Sequence, residues 1–272
     1  MKKFVLLLSL MLVFVLSAPA YAHFQTIYTP DSALSKTGWI NFKLVFTHPW
    51  EAGHTMDIGK DEKGVIHPPV LFGEKFKEKT KNHLKALKPI TFTSLSNKGK
   101  AYEAEIRVKG MGDHIFYFMP APYYEGAEDM YIQQCVKTII NVAGAPTNWA
   151  EPVGNPLPVE IVPLVKPYSV WKGMTFRGVV TCGGKPVSNA EIEVTYLNHN
   201  IKGNAFVAAE NMKIVQPNLV PIGINANVNG EFSFTFPKAG WWGFCALGAG
   251  GDLKHNGKEL SQDAVIWVQV TE

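Results

Sequence analysis

Apolar and polar residues alternate along this chain in short runs, with a period of two far more often than 3.6. Ile40 to Phe46 (INFKLVF), Ala101 to Val108 (AYEAEIRV), Ala190 to Leu197 (AEIEVTYL) and Glu231 to Phe236 (EFSFTF) each put their apolar side chains on one face. That pattern predicts half-buried strands, with Ile192, Val194 and Tyr196 sharing one face and Phe232, Phe234 and Phe236 pointing inward on another. Asp113 to Met119 is rich in aromatic residues, and Thr175 to Thr181, Trp241 to Leu247 and Ala264 to Val270 complete the set. Cys182-Gly183-Gly184-Lys185 and Asn229-Gly230 read as hairpin turns. Two stretches stay open: lysine-rich Glu74 to Lys88 fits one short helix or a solvated loop, and Tyr131 to Ala143 fits a strand or a short helix. Short strands between turn residues predict an all-β protein of two β-sandwich domains.

The ends and the middle of the chain divide it further. Lys2 and Lys3 precede an apolar stretch from Phe4 to Leu16, and Ala20-Tyr21-Ala22 supplies the small residues that a signal peptidase reads. The stretch falls short of the roughly 20 residues that span a bilayer. Residues 1–22 therefore read as a cleaved signal peptide, and the mature protein as periplasmic, without direct membrane insertion. Pro146, Pro152, Pro156, Pro158, Pro163 and Pro167 crowd one segment, which neither a helix nor a central strand tolerates. This makes 146–168 an extended connection between an N-terminal β-rich domain, 23–145, and a C-terminal sandwich, 169–272. Ile161, Val162, Leu164 and Val165 within it need burial, so the connection should pack on the surface.

Composition narrows the function classes. Loss of Lys2 and Lys3 lowers the formal net charge from +3 to +1, which gives no case for nucleic acid as a partner. Cys135, Cys182 and Cys245 have no CxxC spacing, so neither a thiol redox motif nor a thiolate zinc cluster is supported. A bridge between Cys182 and Cys245 is possible, but buried small hydrophobes describe all three better. There is no GxSxG, HExxH or phosphate-binding glycine loop, so the chain reads as a non-enzyme. Trp241, Trp242 and Trp267 could form a sugar platform, although their apolar neighbours favour packing.

The candidate chemistry is metal binding. Cleavage after Ala22 makes His23 the first residue, with an α-amine and an imidazole able to chelate one cation. The richest donor segment is Phe46 to Asp57 (FTHPWEAGHTMD), a loop after a strand in which Pro49 and Gly53 let His48 and His54 converge. His23, His48 and His54 form the expected ligand set, with Met56 and Glu51 as lesser candidates. The tyrosine and acid cluster from Tyr123 to Asp129 reads best as an exposed acidic turn; its oxygen donors could also bind calcium, though without EF-hand spacing, or serve as acceptors for those histidines. His114 reads as structural, and His67, His83, His199 and His255 as exposed and without a role.

The motifs G-V-V, G-K-P-V, A-E-I-E-V, N-G-E-F-S-F and P-K-A-G of the second half resemble a prealbumin-like, carboxypeptidase-regulatory-like sandwich. His23-Phe24-Gln25, FTHPWEAGHTMD, Pro120 to Gln134 (PAPYYEGAEDMYIQQ), Glu160 to Tyr168 (EIVPLVKPY), Gly240 to Phe244 (GWWGF) and Ala264 to Val270 (AVIWVQV) extend the likeness over nearly the whole mature length. Together they resemble the exported DUF4198-type family found alongside nickel and cobalt uptake transporters. The resemblance implies a periplasmic component that binds nickel or cobalt and assists a metal-uptake membrane transporter. Two alternatives stand beside it. One is a copper-binding protein or a copper oxygen-activating enzyme with an N-terminal histidine site; the other is a structural envelope module.

Overall fold

The computed structural model describes residues 23–272, so the expected signal peptide lies outside the described residues. The described chain is nearly all β, with two single-turn 3-10 segments at Leu84–Ala86 and Pro217–Leu219. The largest sheet has twelve strands. At its middle, Met130–Val142 runs parallel to Lys258–Thr271, in register from Tyr131 opposite Leu260 to Thr138 opposite Trp267. Strands from the first half extend it on one side, through Gly112–Met119, Leu71–Phe76 and Lys79–Asn82. On the other side Gly240–Ala246, Glu191–Tyr196 and Ile222–Asn225 continue it. One sheet therefore crosses the proline-rich segment that separates the halves in sequence.

Both faces of this sheet are covered. A five-stranded sheet that includes Gly38–Leu44, Lys88–Thr93 and Lys98–Val108 closes one face around Phe42, Phe72, Phe92, Phe116 and Phe118. A four-stranded sheet built on Val159–Pro163, Thr175–Cys182 and Glu231–Thr235 closes the other around Phe176, Phe232, Phe236, Trp242 and Phe244. Strand Gly112–Met119 serves both cores: Phe116 and Phe118 enter the first, Ile115 and Tyr117 the second. A strand buried on two sides loses its polar face, which is why Tyr131 to Ala143 showed no alternation; it is a strand.

Two sequence expectations need correction. Glu74 to Lys88 is neither a helix nor a plain loop: Leu71–Phe76 and Lys79–Asn82 form an edge hairpin, followed by the 3-10 turn. Lys79–Asn82 pairs on one side only and is exposed throughout, so no apolar face marks it in sequence. His83 and His199 are buried, at 7% and 4% exposure, instead of exposed. Each owes this to a partner: His83 Nε2 meets Glu74 Oε2 at 2.8 Å, and His199 Nδ1 meets the Val207 carbonyl at 2.9 Å.

Most other expectations hold. Cys182 pairs with Lys185 across Gly183 and Gly184, whose φ of +54° and +76° supply the left-handed pair that a two-residue hairpin needs. The strand Val159–Pro163 inside the proline-rich segment is buried with Ile161 and Val162, whereas Leu164 just beyond it is exposed and Val165 half-buried, against the burial expected of them. Trp241, Trp242 and Trp267 are core residues. All three cysteines are free thiols, with Cys135 and Cys245 buried and Cys182 half-buried.

The proline-rich segment is tied down by two buried carboxylates. Asp113 Oδ2 accepts from the backbone N–H groups of Thr147, Asn148 and Trp149. Glu160 Oε2 accepts from Lys137 Nζ at 2.6 Å and from the Val153 N–H at 2.9 Å. Burial draws the Lys137 ammonium down. It would push Glu160 up, but the ammonium and the backbone donors hold that carboxyl below its ordinary range.

Candidate metal centre

A small three-stranded sheet carries the site. Phe24–Gln25 pairs antiparallel with Phe46–Thr47, which pairs antiparallel with Thr55–Met56. Phe24 lies opposite Thr47, so the same register carried one step sets His23 opposite His48. Thr47 lies opposite Thr55, so the next step sets His48 opposite His54, and the His48 N–H reaches the His54 carbonyl at 3.3 Å. The three histidines occupy one rung across three strands, where neighbouring side chains project to the same face. The His23 and His48 rings stand edge to face with centroids 4.8 Å apart, and those of His48 and His54 are 6.5 Å apart.

The loop from His48 to His54 is closed by local bonds. The Gly53 N–H donates to the His48 carbonyl at 3.2 Å, and Thr47 Oγ1 donates to the His54 carbonyl at 3.0 Å. Ala52 takes a φ of +45° to complete the bend, and its carbonyl accepts from the Leu95 N–H. Trp50 reaches over to the C-terminal half, 5.7 Å from Tyr196 and 5.9 Å from Trp242 between ring centroids. His54 is exposed at the rim, with Nε2 3.3 Å from Asn97 Nδ2.

The environment favours a neutral His48. Burial, with His23 and His54 close by, pulls its pKa down to about 3 against a smaller opposing pull from Glu125. A neutral imidazole is the ligating form. Glu125 Oε2 lies 3.1 Å from His23 Nε2, and this contact outweighs partial burial to hold the Glu125 carboxyl below its usual range. Among the described residues no group of three His, Cys, Asp or Glu is arranged so that it could hold a metal ion. Met56 is buried in the first core, packed away as a strand residue, while Glu51 is half-buried with its carboxyl raised by burial.

Glu125 belongs to the short strand Tyr123–Glu125, and its nearness to His23 fits the acceptor role the sequence left open to that cluster. Gln134 is a contributor that the sequence reading missed. Its Oε1 accepts from the Gln25 N–H at 2.6 Å, and its Nε2 lies within reach of the His23 carbonyl at 2.7 Å and Asp263 Oδ2 at 3.2 Å. A glutamine in a strand carries no sequence mark of such a role. Beside His23 opens a hollow of about 310 Å³ whose wall includes Glu128, Glu191, Glu193 and Asp263. Burial first, then Asp263, Glu191 and Glu128, raise the Glu193 carboxyl to about 7.

Sheet stacking and a histidine rung define an all-β protein with a candidate metal-binding edge. The chain belongs to the family described as a domain of unknown function, DUF4198, which matches residues 20–250. No curated protein matches it. Among solved structures it is similar to the D0-D1 domain of intimin, at 9% identity and a TM-score of 0.22, covering 91% of this chain and 100% of that one. The adhesin InvE of Yersinia pseudotuberculosis gives 12% identity and a TM-score of 0.23, covering 89% of this chain and 58% of that one. A titin fragment, A168169, gives 10% identity and a TM-score of 0.22, with 92% and 100% covered. Scores this low carry no argument about function. Among the described residues no helix is long and apolar enough to cross a membrane.

Proposed function

We propose that this protein is an exported, non-enzymatic carrier for a divalent transition-metal ion, nickel or cobalt, that assists uptake by a membrane transporter. The observation that carries the reading is the rung His23–His48–His54. It aligns three imidazoles, with the pair His23 and His48 at 4.8 Å and His48 favoured in its ligating, neutral form. After cleavage at Ala22 the α-amine of His23 would add a fourth nitrogen donor beside them. Borderline nitrogen donors suit nickel, cobalt and copper. The acidic wall beside His23 would draw cations toward the edge of the sheet. An open rim at His54 suits an ion that must be handed on, because a fully enclosed site releases slowly.

The test is titration of protein whose amino terminus is confirmed as His23, using nickel, cobalt, copper and zinc in turn, beside His23→Ala and His48→Ala. Stoichiometric nickel or cobalt binding that both substitutions abolish supports the carrier. Binding of copper alone moves the reading to a copper protein with the same ligands. Identical behaviour of all three proteins would overturn metal binding and leave the structural envelope module.

A further inference from the structure

Away from the histidine rung, four cationic side chains surround a hollow of about 160 Å³. Its wall is made by Lys79, Lys81, Arg107 and Lys109, with Glu74 and Phe76 completing it. Among the described residues none of the four cations makes an ion pair, although Lys43, Lys75 and Lys137 elsewhere in the molecule each have a carboxylate partner. The one carboxylate on the wall is already engaged. Glu74 Oε1 is 2.6 Å from His114 Nδ1 and Oε2 is 2.8 Å from His83 Nε2, all three side chains being buried. Burial alone would raise the Glu74 carboxyl, but these two hydrogen bonds outweigh it and bring it to about 2. Phe76 is fixed beside it, its ring stacked on His114 at 4.2 Å.

Lysines on an edge strand often only guard the edge against pairing with another chain. That role covers Lys79 and Lys81, which lie on the edge strand Lys79–Asn82. Arg107 and Lys109 come from a different sheet: Arg107 lies opposite Trp39 in the strand Lys98–Val108, beyond the stretch that pairs with Lys88–Thr93, and Lys109 directly follows that strand. Two unrelated elements thus bring unpaired cations to the same concavity, where like charges repel until an anion sits among them.

We propose that this hollow binds a compact oxyanion of the phosphate type, either free phosphate or the phosphate of a lipid headgroup. Drug- and cofactor-sized ligands fill clefts of roughly 300–1,000 Å³, so a hollow of about 160 Å³ suits one tetrahedral group. Arg107 offers a planar fork for two oxygens, and the three lysines offer point charges around it.

The experiment uses the protein from His23 to Glu272, its Lys79→Gln/Arg107→Gln variant, and a control, Lys213→Gln/Lys254→Gln, that loses the same charge at other exposed positions. Inorganic phosphate is titrated by calorimetry into each. Each protein is also sedimented with vesicles of phosphatidylcholine containing one-quarter phosphatidylglycerol, and with phosphatidylcholine alone. Saturable binding of phosphate or of the anionic vesicles, weakened at least about tenfold in the first variant and unchanged in the control, supports the site. Capture by the anionic vesicles with that dependence assigns the lipid headgroup; phosphate binding without capture assigns the free ion. Absence of both, or an equal loss in both variants, overturns the proposal.

Discussion

Gln134 Nε2 reaches the carbonyl of His23 at 2.7 Å, joining the first described residue to the longest strand of the N-terminal half across 111 positions of sequence. Its Oε1 takes the next N–H, that of Gln25. The strand Phe24–Gln25 that follows His23 is only two residues long, so this side chain supplies much of what holds it. Gln134→Leu strands the Gln25 donor and the His23 acceptor in a buried setting. A loss of about 2–4 kcal/mol in denaturant unfolding is expected. Metal affinity, measured where the variant remains folded, should fall with it.

His48 makes the fold sensitive to acid. Its folded pKa of about 3 lies below the ordinary histidine value of about 6.5, so the unfolded chain binds the proton first. The stability it contributes is complete above about 6.5 and drains away as pH falls toward 3. Urea unfolding at a series of pH values should show a decline of up to about 4 kcal/mol over that window, and His48→Gln should flatten it. Glu74 acts lower still: its depressed carboxyl stabilises above its ordinary value near 4.5 and is lost toward 2. That arm should survive in His48→Gln.

Glu193 works in the opposite direction. Its folded pKa, about 7, lies above its ordinary 4.5, so ionisation is easier in the unfolded chain. The penalty grows as pH rises from about 4.5 and is complete above about 7. Glu193→Gln should therefore unfold about 2 kcal/mol later than the parent at pH 8 and match it near pH 4. Thermal melts at the two pH values check this, and a variant less stable at pH 8 would refute it.

Lys137 and Glu160 are 0% and 4% exposed and meet at 2.6 Å. Removing one partner leaves the other charge buried and alone, at a typical cost of about 3–5 kcal/mol. Lys137→Met should show that loss in equilibrium unfolding. Lys137→Met combined with Glu160→Gln should recover part of it, because Gln retains an acceptor for the Val153 or Gly154 N–H.

What could be read from the chain follows from how many faces a strand buries. Ala190 to Leu197 and Glu231 to Phe236 keep one wet face, so their period of two survives in the sequence. Tyr131 to Ala143 is buried on both faces, and its run of apolar and amide residues fits a helix as well as a strand. Its pairing with Lys258–Thr271 depends on residues more than a hundred positions away, which local pattern does not encode. Lys79–Asn82 fails for the reverse reason, having no buried face at all. Within the candidate site, His23, His48 and His54 stood out as donor types. Their shared rung came from registers set by Phe24, Thr47 and Thr55; the acid cluster holding Glu125 was legible as a source of acceptors, while Gln134 emerged only once the sheets were assembled.

The sheet that runs unbroken through both halves of the chain leaves no flexible waist between two lobes. Binding proteins that trap cargo by closing like a clamshell time its release through that motion. In the proposed carrier the ion would sit on the small histidine-bearing sheet, open to solvent at His54. Exchange would then follow the chemistry of the ligand bonds and the acidity around them, with no global opening to wait for.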